Sequence, residues 1–307
     1  MADISKHDIV VIGSLNADLV VKSPRFPQPG ETISGSDLQI IPGGKGANQA
    51  VAAARQGADV AMVGRVGSDS FGPFLVDNLN ANQVDTTHVT VDSSATGTAI
   101  IVVDTNGQNS IVLSPGANGN VSPTDVDSAS FLSSKLLLLQ LEIPTPTVLH
   151  AAQQARAHGL TVILNPAPAK LLPSELLSAV DILIPNESEL SLLTGLPVND
   201  IASAETAAKE MLKQGVKTVI VTLGSKGALL VTDAQVKHVN TFNVNVLDTT
   251  AAGDAFIGGF ASAILGGTSL EDSVRYGCAC GALATTKFGA QPSLPTKAEV
   301  EKFIKQQ

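Results

Sequence analysis

Cysteine is scarce in the 307-residue chain, with Cys278 and Cys280 alone. Two positions apart on an expected helix, their side chains point in different directions and do not suit a disulfide, so both read as reduced, buried, small hydrophobes. Long apolar runs are missing too. The densest, KLLLLQLEIP, is of strand length, which excludes a membrane-spanning helix. The opening, MADISKHDIVVIG, lacks a basic start, a long apolar segment and a small-residue cleavage site, so no secretory leader is expected and the expected location is cytoplasmic. Metal-ligand patterns are absent as well: the five histidines are dispersed, with no HExxH and no CxxC. His7, His88, His150, His158 and His238 read as surface or structural groups. Positive charge is in deficit, 19 Lys and Arg against 28 Asp and Glu for a net −9, and the basic residues are scattered. That opposes nucleic acid or an anionic membrane as partner and leaves room for a small anionic ligand at a locally positive site.

What is present is ample material for a core: 44% of residues are hydrophobic and 15% charged, and a globule of this size buries roughly 75% of its unfolded surface. Short apolar runs at 8–13, 58–64, 135–141, 161–166, 180–186 and 217–224 look like strands buried on both faces. Helical patterns at 46–56, 70–82, 145–158 and 203–214 lie between them. The alternation predicts an α/β fold, a mostly parallel, Rossmann-like central sheet flanked by helices, with ligands beyond the C-terminal strand ends. Residues 17–41 and 97–113 instead alternate with period two, and Thr105-Asn106-Gly107-Gln108 is a hairpin signal. They predict a small antiparallel sheet acting as a lid over a cleft, a dimer surface, or both. With no repeat, low-complexity tract or linker, 1–307 reads as a single domain into which the lid strands are inserted.

Two glycine-rich stretches compete as anion sites. Gly43-Gly44-Lys45-Gly46 opens an alanine-rich helix but fails the Walker A pattern, having Gln39 where the first glycine belongs and Gly46 where the hydroxyl belongs. It fails the dinucleotide pattern as well, since Gln49 replaces the third glycine and no parallel strand precedes it. A plain turn before a helix stays open as a reading. VLDTTAAGDAFIGGFASAIL, 246–265, is stronger. Asp248, Thr249 and Thr250 are natural helix caps, and Phe256, Ile257, Phe260 and Ile264 form one stripe. Gly253, Gly258 and Gly259 each cost the helix about 1 kcal/mol relative to alanine, so something must compensate. Bare amides of Ala251, Ala252 and Gly253 would accept a phosphoryl group, and Gly258 and Gly259 would allow close helix packing. Asp254 is either a capping carboxylate favoured by the helix dipole or a general base beside the phosphoryl path.

GGKGANQAVAAARQGADVAMVGRVG (43–67) and DTTAAGDAFIGGF (248–260) resemble, in order and spacing, the two signature motifs of the ribokinase-like carbohydrate kinase family. The similarity runs from VVIGSLNADLVV to GAQPSLP, nearly the whole chain. The resemblance implies ATP-dependent phosphorylation of D-ribose at O5, with sugar rather than phosphate at the first loop. Gly44, Lys45, Gly46 and Asn48 would meet ribose hydroxyls together with Asn16, Asp18 and Glu142, and Asp254 would be the general base. It further implies an anion hole of Ala251, Ala252 and Gly253. ATP would lie on Asn186, Glu189, Thr222, Gly224, Ser225, Gly227, Gly253 and Cys278, with Mg²⁺ organised by Asn186 and Glu189 through water. Potassium would sit among Asp248, Thr250, Ala284, Lys287, Gly289 and Ser293, and a homodimer would form through the lid. Two departures stand out: Ala251-Ala252-Gly253-Asp254 replaces the commoner Gly-Ala-Gly-Asp, and Cys278 falls where some relatives carry a histidine near the adenine. A kinase for another pentose, a deoxyribose or a nucleoside shares this transfer machinery, and a non-catalytic sugar sensor is the rival from another class.

Overall fold

The computed structural model describes residues 7–105, 108–129, 131 and 133–307. The strands in chain order are β1 Ile9–Ile12, β2 Asn16–Lys22, β3 Gln39–Gly43, β4 Val60–Gly67, β5 Val84–Asp92, β6 Gly97–Val103 and β7 Asn109–Ser114. They continue with β8 Leu136–Leu139, β9 Thr161–Leu164, β10 Ile182–Leu183, β11 Thr218–Thr222, β12 Ala228–Thr232 and β13 Val236–Val239. The helices are α1 Lys45–Arg55, α2 Phe71–Ala81, α3 Pro123–Ser128, α4 Thr145–Ala157 and α5 Ser174–Ser178. After these come α6 Glu187–Thr194, α7 Ile201–Lys213, α8 Ala252–Leu265, α9 Leu270–Ala284 and α10 Lys297–Ile304.

Among the described residues the main sheet has nine strands in the order β13-β12-β11-β10-β9-β8-β1-β4-β5, parallel except where β12 pairs antiparallel with β11 and β13. Its inner strands are apolar on both faces because both are covered. Ile9 and Val11 join the helices α1, α2, α8, α9 and α10 in one core, while Val10 and Ile12 join α3 to α7 in the other. Each such side chain contributes roughly 1.5–3 kcal/mol by leaving water. The chain moves from β1 outward to β4 and β5, then returns to β8 on the other side of β1. That reversal opens a crevice at the C-terminal strand ends. At the opposite end, the His7 ring sits 2.6 Å from Asp59 and 2.9 Å from Asp85, tying together the approaches to β1, β4 and β5.

The second sheet, β3-β2-β6-β7, is the expected lid with one correction: β2 and β6 pair in parallel, so the sheet is mixed rather than antiparallel. The reason is topological. β2 follows β1 and β6 follows β5, two strands running the same way in the main sheet, and each leaves it in the same direction. Val20, Ile41, Ala99 and Ile101 pack inward with Phe288, whereas Ile40, Leu19, Ile100 and Val112 are register neighbours on the outer face. The hairpin signal falls partly on 106 and 107, outside the described residues.

Candidate active site

The polar residues that end the strands converge. Beyond β1, the Ser14 hydroxyl donates to Glu142 and receives the Gly46 amide at 3.3 Å. The Lys45 amide donates to the same Glu142 oxygen at 3.0 Å. Gly44, with φ of 88°, makes this turn possible, since a Cβ there would lie 2.7 Å from the Asn16 nitrogen. Gly43 is needed for a different reason: a Cβ would fall 2.2 Å from an Asp18 carboxylate oxygen. Asn118, in the turn after β7, fixes Asn16. Its Nδ2 donates to Asn16 Oδ1 at 2.7 Å while its Oδ1 accepts from the Leu15 amide at 2.9 Å.

Asp254, in the first turn of α8, receives two amides from α1: Asn48 Nδ2 to Oδ2 at 2.9 Å and Gln49 Nε2 to Oδ1 at 3.0 Å. Burial raises its pKa above the ordinary carboxylate value, against the opposing pull of Lys45, Asn48 and Gln49. Asp18 is likewise pushed up to about 7, by burial first and then by Glu142 and Asp254. Lys45 behaves in the complementary way. Burial works to lower its pKa, but Asp254, Glu142, Glu189 and Asp18 outweigh it and hold the ammonium charged. Four carboxyl groups around one ammonium make a pocket rich in acceptors that suits hydroxyl donors. Asn48 is buried, and its Oδ1 has no partner among the described residues. An acceptor left open in this way is suited to a ligand hydroxyl.

Two cavities flank this cluster. One, about 870 Å³, is lined by Asn186, Thr222, Gly224, Ser225, Gly227, Gly253 and Cys278, all expected at the nucleotide. Glu189 does not line it. Together with Asn186 it instead forms the capping box of α6, the Asn186 amide donating to Glu189 at 2.8 Å and the Glu189 amide donating back to Asn186 Oδ1 at 2.8 Å. The other cavity, about 830 Å³, lies between the lid and the segment before α8, with Asp18, Asp248, Thr250 and Gly289 in its walls. Val246 and Thr249 line both, so this segment is the partition between them.

The partition differs from expectation in its capping. Asp248, Thr249 and Thr250 do not cap α8 with their side chains; the cap residue is Ala251, in the left-handed region at φ 58°. Asp248 instead folds the loop, accepting from the Thr250 amide at 2.9 Å and the Gly289 amide at 2.8 Å. Nor are all three expected amides free: Ala252 donates to the Thr249 carbonyl at 3.2 Å, whereas those of Ala251 and Gly253 have no acceptor among the described residues. Gly253 is exposed, and a Cβ there would meet nothing within 4 Å. Gly258 and Gly259 do serve packing, with Cβ positions 2.4 Å from Ala52 and from Cys280 respectively.

The structure draws Asp248, Thr250 and Gly289 together and brings Thr285, beside Ala284, to within 3.1 Å of the Asp248 amide. Lys287 points its ammonium to Glu299, and the buried Ser293 donates to the Ala290 carbonyl at 2.7 Å. Among the described residues no group of three His, Cys, Asp or Glu side chains is placed to hold a metal, and no helix is long and apolar enough to cross a membrane. Sequence reasoning missed Ser14, Gln49, Asn118, Gln140 and Asn165. Gln49 and Gln140 carried a signal, a glutamine inside an alanine-rich helix and another ending an all-leucine strand.

Known proteins share this fold. The model of the pfkB family carbohydrate kinases matches residues 6–297. A ribokinase from Haemophilus influenzae is 46% identical, with 97% of this chain and 99% of that protein covered. A deoxyribokinase from Salmonella typhi is 40% identical over 97% of this chain and 98% of its own. Arabidopsis thaliana ribokinase, solved with ribose and ATP, superposes with a TM-score of 0.90 at 37% identity, covering 97% of this chain and 99% of that one.

Proposed function

Since the chain belongs to the pfkB family of carbohydrate kinases, we propose that it phosphorylates D-ribose at O5 with ATP, giving ribose 5-phosphate and ADP. The observation that carries this reading is the buried Asp254 in the first turn of α8, a few residues after Val246 and Thr249, which wall both cavities. Ribose binds on the lid side, where Asp18 and Glu142 accept hydroxyl protons and Asn16, Lys45 and Asn48 donate or accept, with the turn of Gly44 and Gly46 admitting the ring. ATP occupies the other cleft along Asn186, Thr222, Gly224, Ser225, Gly227 and Cys278. As the primary hydroxyl oxygen bonds to the γ-phosphorus, its proton passes to Asp254, and the bond to the β-phosphate oxygen breaks to release ADP. Free amides at Ala251 and Gly253 stabilise the equatorial oxygens; Ala252 contributes only through its place in the turn.

Mg²⁺ brought with ATP would neutralise phosphate charge, with Asn186 and Glu189 holding it through water. Glu189 suits water-mediated contact better than direct ligation because both its oxygens already accept from Asn186. The oxygens around Asp248, with those of Thr250, Ala284, Lys287, Gly289 and Ser293, make a hard donor set fit for a monovalent cation such as potassium. One kinase domain spanning 1–307, a homodimer through the outer lid face and a cytoplasmic location complete the proposal.

An assay of ADP release with ribose, 2-deoxyribose, fructose and adenosine, with NMR of the product, tests it. Ribose should be fastest and phosphorylated at O5; faster turnover of fructose or adenosine overturns the assignment. The deoxyribokinase relative favours one second reading, and preference for 2-deoxyribose in the same panel would establish it.

A further inference from the structure

Gln49 and Gln140 are both fully buried, and the site as described gives neither a part in substrate contact. A buried carboxamide costs about 1–3 kcal/mol unless its hydrogen bonds are made, so their partners matter. Gln140 Nε2 donates to Gln49 Oε1 at 2.6 Å, and Gln49 Nε2 donates to Asp254 Oδ1 at 3.0 Å. Asn165 Oδ1 lies 3.4 Å from the same Gln49 nitrogen, while Asn165 Nδ2 donates to the Ile184 carbonyl at 3.0 Å.

This chain has a single polarity. Reversing Gln49 would put its oxygen against the Asp254 carboxylate and against Asn165 Oδ1, acceptor on acceptor, and its nitrogen against the Gln140 donor. Gln140 itself leaves Oε1 buried without a partner. The molecule thus tolerates an unsatisfied acceptor at the end of β8 while directing a donor at Gln49. Asn48, the other donor to Asp254, keeps an acceptor without a partner among the described residues, whereas the Gln49 nitrogen makes its shorter bond to the carboxylate, at 3.0 Å against 3.4 Å to Asn165, and its oxygen is held by Gln140.

We propose that Gln49, locked in orientation by Gln140, is the positioning residue for Asp254: it fixes the plane of the carboxylate and holds it in the ionised form that can take a proton. The proposal rests on the reading of Asp254 as general base. Hydrogen bonding to the charged form opposes the burial that favours the neutral form. The charged groups that also face Asp254 are Lys45, which assists ionisation, and Glu142, Asp18 and Glu189, which oppose it.

The test uses Gln49→Met and Gln140→Met, which keep volume and remove the donor or its lock. Two measurements are made on each: the pH dependence of kcat and kcat/KM for ribose, and the titration of the Asp254 carboxyl by ¹³C NMR in protein free of sugar and nucleotide. In Gln49→Met the acid limb and the carboxyl titration should move up together by about one pH unit. At neutral pH kcat should fall about 10- to 100-fold, with KM for ribose changed less than about threefold because no sugar contact is lost. Gln140→Met should shift both in the same direction by less, and it decides the matter if Gln49→Met does not fold. An unshifted carboxyl titration in the folded variants overturns the proposal, as does a loss confined to KM. If the wild-type protein turns over no sugar, the kinase reading fails while the NMR titration still decides what Gln49 does.

Discussion

Asp18 and Asp254 are placed for a ligand at the expense of the fold. Each is a carboxylate held in a nearly dry pocket, where its charge is unfavourable to the fold and useful to a bound sugar. For Asp18 the sign is definite. A folded pKa of about 7 against an ordinary 3.8 means the folded chain binds more protons in that interval, so stability falls as pH rises from about 4 to about 7. Asp18→Asn should therefore raise the free energy of unfolding at pH 8, by an amount on the order of a few kcal/mol, and change it little at pH 4. Ribose affinity should fall in the same protein; calorimetric unfolding and sugar binding at both pH values check the pair. Asp254→Asn keeps shape and loses the base. A drop in kcat of about 10² to 10⁴ with ribose affinity nearly retained is expected, and more than about half the wild-type activity would make Asp254 a structural group instead.

Among the elements, the contact of α8 with α1 sets the spacing of the site, because Asp254 rides on one helix and its two amide donors on the other. Gly258→Ala should gain about 1 kcal/mol of helix propensity and lose more, since the new methyl would sit 2.6 Å from the Ala53 nitrogen. A net destabilisation of about 1–3 kcal/mol in chemical unfolding is expected. The loop 284–293 gives another test. At constant ionic strength potassium should raise kcat/KM above its value in sodium, and Asp248→Ala should abolish the difference. Equal rates in potassium, sodium and a bulky organic cation would refute the cation site.

These elements were unequally legible. Doubly buried strands announced themselves as unbroken apolar runs, as in β1 and β8, because nothing polar survives between two cores. β5, VDTTHVTVD, escaped notice because it lies at the sheet edge, where half its side chains meet solvent. The short lid strands were read too long: 24–38 is irregular, and only its ends pair. At the site, residues in glycine-rich motifs could be found by type and spacing. Asn118 could not, since it acts on Leu15 and Asn16, about a hundred positions away, which only the fold brings near. The capping of α8 was misjudged because Asp248 spends its oxygens on Thr250 and on the nonlocal Gly289, which leaves the cap position to Ala251.

At the scale of the whole molecule, the lid leaves an aliphatic row on its outer face. Ile40, Ile100 and Val112 are 46%, 51% and 63% exposed and lie in one register row, with Leu19 between the first two. A second lid laid across that row would remove it from water, at about 25 cal/mol for each Å² covered. Ile100→Lys should weaken self-association at least about tenfold in sedimentation equilibrium, and a wild-type protein that is monomeric at high concentration would exclude the dimer.

The lid is also continuous with the grip. Asn16 and Asp18 lie on β2, the same strand that carries the lid sheet, and only Gly13, Ser14 and Leu15 separate it from the rigid β1. Tilting the lid would therefore re-aim Asn16 and Asp18, so on the proposed sugar site affinity and closure are one variable rather than two. On that proposal a lineage acquiring a taste for a different sugar need not alter the pocket itself: a substitution that changes how the lid rests on its neighbour would change the angle at which Asp18 is presented.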